Sequence, residues 1–281
     1  MSGGIALAGG TNLPQDLVLC EGLLKFAGVY SLQNPRAQLF EHILGQRPLH
    51  RGLAVEFLAG HPALQNLRID RLFSGSAGVK EGYSLRAHVE MVLTVFREQE
   101  GFYELSEEHR KLLEFAILFH DIGKPAAMED FVLEHGREPL DSNEFKGISR
   151  RQLEFTLPIL RQVMEVFAMT PSEQHFVEAI IGDDLMGSVV RDRVSPKEAY
   201  GLLTHSTAAL GLPLKIFFDL RMLFYVSDAA SYPGLRFGIE RAQPPKRPVF
   251  FEEANGRLRP VSPCFRELAD LVESLNPSEG F

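Results

Sequence analysis

Tryptophan is absent from this 281-residue chain, and cysteine occurs only twice, at Cys20 and Cys264. Two isolated thiols cannot build a disulfide framework and lack the spacing of a metal-ligand set, so a reducing, cytoplasmic home is expected. Long apolar runs are missing as well. The longest candidates are interrupted by Gly, Pro, Glu or Lys, and no membrane-spanning segment is expected. Met1–Gly10 is apolar and Gly-rich but lacks the basic flank of a secretory signal, and reads as a frayed terminus. Positive charge is in deficit: 29 Lys and Arg stand against 37 Asp and Glu, a formal charge of −8. That balance argues against a broad grip on long nucleic acid, while a local basic pocket stays compatible with it. Hydrophobic residues make up 45% and charged residues 23%, which excludes wholesale disorder and collagen-like order.

What is present is helical periodicity. Leu85, Val89, Val92, Leu93 and Phe96 recur at three- and four-residue intervals behind a Ser84 N-cap. A second helix opens at Ser106 and carries Leu112 to Phe119, apolar on almost all sides, so it is expected to be central. Gly123 and Pro125 are expected to stop it. Further helices are predicted over about 148–168, 172–182, 196–210 and 213–230. Residues 13–67 read as short helices, 73–82 as a small-residue loop without the Gly-Lys-Ser/Thr of a P-loop. Near the end, Asn255-Gly256, flanked by Pro248–Glu252 and Arg257–Val261, signals a hairpin, and Cys264–Leu275 a last amphipathic helix. The fold class expected is all-α, a helical bundle with a small C-terminal β-hairpin appendage. Three segments are expected: an extension over 1–72, a core over 73–238, and a hairpin with a helix over 239–281.

Chemistry concentrates in Leu118-Phe119-His120-Asp121-Ile122-Gly123-Lys124-Pro125. A His-Asp pair closes a bulky apolar helix, where a carboxylate needs a partner to stay ionised. Two residues repeat the anomaly. His88 falls in the stripe of Leu85 and Val92, and Asp228 shares a face with Phe217, Arg221 and Phe224. Three core-facing helices thus each bring His or Asp inward. Imidazole with carboxylate suits Mn²⁺, Fe²⁺, Co²⁺, Ni²⁺ or Zn²⁺, and without thiolates the choice stays open, Mg²⁺ included.

This ordered set, His88, His120-Asp121 and Asp228 on a helical chain, resembles the HD-domain superfamily of metal-dependent phosphohydrolases, over roughly residues 80–235. Gly123-Lys124-Pro125 matches a frequent continuation of that motif. The resemblance implies that the four residues bind a divalent metal, and that the substrate is a phosphomonoester or phosphodiester, often a nucleotide. The sequence also departs from the fuller pattern. Gly147-Ile148 stands where many members carry Gly-His, and Ile180-Ile181-Gly182-Asp183-Asp184 offers carboxylates where another His is common. A single-metal site is therefore expected rather than a binuclear one.

The implied chemistry is a cation polarising a phosphoryl oxygen and lowering the pKa of a bound water. Asp183 is the first candidate to orient that water or take its proton, and Asp184 the second. The pair stands equally as a turn or N-cap for a helix starting at Leu185. Lys124 and Arg221 are candidates to neutralise substrate phosphate. Lys124 alternatively complements a helix end, and Arg221 pairs with Asp228 or Asp219. Arg86, Arg150 and Arg151 are weaker candidates, named only for nearness to the ligand helices. The expected ligand is a small phosphorylated molecule, and a homodimer fits as well as a monomer. The alternative reading is an inactive HD-fold module that binds a ligand or partner.

Overall fold

Five of the longer helices begin where a Ser, Thr or Asp side chain accepts from the otherwise orphaned first-turn N–H groups. The computed structural model describes residues 34–44, 53–76, 83–232, 251–254 and 257–275. The N-terminal stretch with Cys20, most of the 73–82 loop, the Asn255-Gly256 turn and the residues between Tyr232 and Phe251 lie outside the described residues.

After an opening turn over Pro35–Ala37 that widens into a π-helical Gln38–Ile43, the helices run in order. They are α1 (Leu53–Gly60), a 3₁₀ turn (Pro62–Leu67), α2 (Ile69–Ser74), α3 (Leu85–Glu98), α4 (Glu100–Glu104) and α5 (Glu107–Phe119). Next come α6 (Lys124–His135), α7 (Ser142–Val166), α8 (Pro171–Ile181), α9 (Leu185–Val190), α10 (Pro196–Leu210) and α11 (Leu214–Ser231). Strands β1 (Phe251–Ala254) and β2 (Arg257–Pro260) pair antiparallel with Phe251 opposite Pro260, and α12 (Pro263–Leu275) follows. The described residues are thus mostly helical, with a small two-stranded sheet near the C-terminus.

Ser84 and Ser106 cap their helices as the sequence signals, and Thr170 adds a cap not expected from it. Ser84 Oγ accepts from the Ala87 amide, Ser106 Oγ from His109, and Thr170 with Glu173 forms a reciprocal capping box. Two expectations need correction. Pro125 does not merely end α5; it sits in the first turn of a new helix, α6. A proline there loses no hydrogen bond, since first-turn amides have no intrahelical partner, and Ala126, Ala127 and Met128 then propagate the helix. Helix α7 also starts six residues earlier than expected, because Asp141 caps it by accepting from Asn143 and Glu144.

Helix α5 is central, as its composition requires: every residue from Leu112 to Phe119 is buried. Helix α11 lies along α3 in the most extensive helix pairing of the described elements, α8 packs on α5, and α6 on α7. One continuous apolar core joins residues from all three expected segments, from Leu39 and Leu58 through Phe115 and Phe217 to Leu268 and Val272. A smaller cluster of Ala127, Met128, Phe131 and Ile148 sits between α6 and α7. Two polar links brace helix ends against their neighbours. Gly123 N–H donates to Thr156 Oγ1 at 3.1 Å, tying the turn after α5 to α7. Gln99 Nε2 donates to Ser227 Oγ at 2.7 Å, and Ser227 in turn donates to the Leu223 carbonyl, locking the end of α3 against α11 one residue before Asp228.

Candidate metal centre

His88 occupies the first turn of α3, His120 and Asp121 the turn that leaves α5, and Asp228 the last turn of α11. The pairing of α3 with α11 and the central position of α5 bring these three ends together. His88 Nε2 lies 3.3 Å from His120 Nε2, 3.2 Å from Asp121 Oδ2 and 3.2 Å from Asp228 Oδ1. His120 Nε2 lies 3.3 Å from Asp121 Oδ2 and 3.5 Å from Asp228 Oδ1. His88 is fully buried, His120 and Asp121 nearly so, and Asp228 keeps 36% of its side chain open to a cleft.

These separations fit a shared cation. Donors about 2.1 Å from a common centre lie roughly 3.0–3.4 Å from one another. The donor atoms of His88, His120 and Asp228 all fall within 4.8 Å of each other, which makes these three a group able to hold a metal ion. Asp121 stands beside that group, and its Oδ2 is also bound by Lys124 Nζ. Hydrogen bonding supports the same picture. His120 Nδ1 is 2.7 Å from the Ile117 carbonyl, which can only accept, so Nδ1 keeps its proton and Nε2 is the ring atom turned to the centre. Asp228 Oδ1 is enclosed and close to both imidazoles, yet it makes no correctly angled hydrogen bond to either. His88 Nδ1 also lacks a partner; its ring is held instead by stacking on Tyr232, with centroids 5.0 Å apart.

Burial works against charge on His120, but Asp121 and Asp228 outweigh it and push its pKa up to about 10. His88 is raised in the same way, by the same two carboxylates against its own burial. Asp121 is held well below the carboxylate range: burial opposes its charge, and His120 and Lys124 overcome it. Asp228 is likewise lowered, its burial outweighed by the two imidazoles.

The centre forms the floor of a cleft of about 640 Å³ between α7, the α8–α9 connection and α11. Asp183 and Asp184 reach this cleft. Asp183 Oδ1 accepts from the Leu185 amide at 2.9 Å and pairs with Arg221, so the turn reading of this residue is realised. Asp184 pairs with Arg191. Loss of solvent raises the Asp184 pKa, Arg191 offsets this in part, and the Asp228 charge adds to the rise. Nearby, burial lifts the Tyr225 hydroxyl to about 12. Gly187 lets this corner close, because a Cβ there would stand 2.2 Å from Asp184 Oδ1.

Arg221 and Lys124 line the cleft, but both are already engaged. Arg221 donates to the Ala179 carbonyl at 2.7 Å and to the Asp183 carbonyl at 3.0 Å, besides its ion pair with the Asp183 side chain. It pins the 182–184 connection; its expected partners Asp228 and Asp219 are not the ones it takes, and Asp219 pairs with Lys215. Arg86 lies on the outer surface with Glu56 and Glu90, and Arg151 with Asp130. Ile148 belongs to the small α6–α7 core, consistent with its inability to ligate.

Several cleft residues were not singled out from the sequence. Lys146, Ser149 and Leu153 share one face of α7 with Arg150 at helical spacing, and Lys146 falls before the helix start expected at 148. Arg191, Arg193 and Tyr232 also line the cleft, and they fall in or beside connections where no periodicity announces them. Comparison with known protein families, curated proteins and solved structures yields no match.

Proposed function

We propose that this chain is a metal-dependent phosphohydrolase of the HD type, holding one divalent cation and hydrolysing a phosphate ester of a nucleotide or another small molecule. One observation carries the reading: two imidazole nitrogens and two carboxylate oxygens converge at the floor of a cleft whose walls carry cations. His88, His120 and Asp228 would hold the ion, with Asp121 completing the set. Two imidazoles and two carboxylates accept Mn²⁺, Fe²⁺, Co²⁺, Ni²⁺, Zn²⁺ or Mg²⁺. When bound, such a cation supplies charge to a phosphoryl oxygen and lowers the pKa of water.

The remaining work falls to the chain. The Ile117 carbonyl keeps His120 Nε2 aimed at the centre. Lys124 balances the Asp121 carboxylate in a buried setting that would otherwise favour its neutral form. Arg221 holds the 182–184 connection, so Asp183 and Asp184 stay at the cleft wall. Asp184, although paired with Arg191, is the better proton acceptor of the two, since loss of solvent raises its pKa, whereas Asp183 is held by both Arg221 and the Leu185 amide. This reverses the order expected from sequence.

The test is metal content and turnover of the full chain, stripped and reloaded with each candidate ion, on a phosphomonoester, a phosphodiester and nucleotides. About one ion per chain is expected. His120→Ala and Asp228→Asn should remain helical by circular dichroism while losing both metal and turnover. A folded wild-type chain that takes up no ion and turns over no substrate would overturn the proposal and leave the ligand-binding module.

A further inference from the structure

The cleft carries more positive charge than its own carboxylates balance. Among the described residues, six cationic side chains line it, namely Lys124, Lys146, Arg150, Arg191, Arg193 and Arg221, against the four carboxylates Asp121, Asp183, Asp184 and Asp228. Lys124, Arg191 and Arg221 are paired with three of those acids. Lys146, Arg150 and Arg193 have no ion-pair partner among the described residues, and all three are exposed. In a chain of net charge −8 this is not for want of acids. Adjacent residues make the contrast plain: Arg151 lies within 4.0 Å of Asp130, Glu134 and Glu154 on the outer face of α7, while Arg150 turns to the cleft with none.

The three cations come from two walls. Lys146 and Arg150 are one turn apart on α7, with Ser149 between them, and Arg193 follows α9. Floor and walls therefore offer separate places for negative charge: the His–Asp centre below, and unpaired guanidinium and ammonium groups above. A lone phosphoryl group held at the floor would leave the wall cations uncompensated. A chain of phosphates supplies several anionic groups a few ångströms apart, and guanidinium groups bind each through paired N–H donors.

We infer that Lys146, Arg150 and Arg193 form a second phosphate subsite, and that the ligand of this cleft carries two or more contiguous phosphates. The inference builds on the proposed hydrolase, for which it selects a substrate class, but it makes its own claim about binding. Its test is accordingly made without turnover, on the metal-stripped full-length protein in chelator, with orthophosphate, pyrophosphate and tripolyphosphate titrated calorimetrically at fixed ionic strength. Tripolyphosphate should bind at least about tenfold more tightly than orthophosphate. Each of Lys146→Gln, Arg150→Gln and Arg193→Gln should erode that preference, the triple variant should abolish it, and Arg151→Gln should leave it intact.

Adenosine and guanosine triphosphates form a separate arm. Tighter binding than tripolyphosphate identifies a nucleotide as the source, and equal binding identifies the phosphate chain alone; both uphold the subsite. Equal affinity for orthophosphate and tripolyphosphate overturns it, as does a preference unchanged in the triple variant. Neither result touches the metal and turnover measurements on His120→Ala and Asp228→Asn, so the two readings fail separately.

Discussion

Gly123→Ala tests how the centre is held, because two opposing effects give it opposite signs. The Gly123 backbone is right-handed helical, φ −83° and ψ −12°, so alanine fits the local conformation. On backbone entropy alone the substitution would stabilise the fold by about 0.4–1 kcal/mol. The surroundings oppose it. A Cβ at this position would stand 2.4 Å from the Thr156 amide nitrogen, 2.5 Å from the Gln152 carbonyl oxygen and 2.6 Å from Thr156 Oγ1. Two of these atoms are backbone of α7 and cannot rotate aside, so α7 or the turn must retreat by about 1 Å to regain ordinary contact. Overpacking of this kind costs about 1–3 kcal/mol, and loss of the Gly123–Thr156 hydrogen bond about 1 kcal/mol more. The expected net loss is about 2–3 kcal/mol, a fall in melting temperature of roughly 5–12 °C. Urea unfolding followed by circular dichroism measures it. Adding Thr156→Ala to the alanine variant should not restore stability, since the Thr156 nitrogen and Gln152 oxygen remain. A Gly123→Ala protein as stable as wild type, or more stable, would refute the claim that α7 clamps the turn carrying His120 and Asp121.

Two further expectations rest on charge. His88 and His120 are both raised by the surrounding carboxylates, His120 to about 10, and must shed protons to ligate. Affinity for Mn²⁺ or Co²⁺ should therefore rise with pH between 6 and 8, by about ten- to hundredfold per unit for one or two protons released; a pH-independent affinity would sink the assignment. In the stripped protein the sign is opposite, because a folded pKa raised above the ordinary 6.5 gives stability that is full below 6.5 and is lost as pH climbs through about 10. A melting temperature that increases over that range would contradict it. For Arg221→Lys the expected cost is about 2–3 kcal/mol in urea unfolding, since a single ammonium cannot reproduce the fork to Ala179 and Asp183. Unchanged stability would show that this fork does not hold the 182–184 connection.

Much of the helical order was legible, and so was the convergence of His88, His120 and Asp228. His88 at helical spacing from Leu85 and Val92 had to face the core, and it is fully buried. Asp228 could be assigned to the inner face of α11 by the same arithmetic, from Phe217, Arg221 and Phe224. Helix α6 was not legible, because Pro125 reads both as a stop and as a first-turn residue, and only the packing of Met128 and Phe131 against Ile148 decides. The partners of Arg221 were beyond reach for a different reason. They are two carbonyls and a carboxylate some forty residues away, and backbone acceptors leave no mark in residue identity. Arg193 lies in a connection whose path depends on how α9 docks, so its position in the cleft follows from tertiary packing alone.

Helix α11 carries two fixtures, Arg221 on the 182–184 connection and Asp228 against the paired histidines, seven residues apart. At 3.6 residues per turn, seven steps bring the second side chain to within about 20° of the first, some 10 Å further along the axis. The helix thus works as a ruler with two notches cut on one edge. Adding or removing a single residue between the notches would swing one of them by roughly 100°, taking the carboxylate off the histidine pair or the guanidinium off its carbonyls. Substitutions along this stretch are judged one side chain at a time, but its length is not open to adjustment by anything less than whole turns.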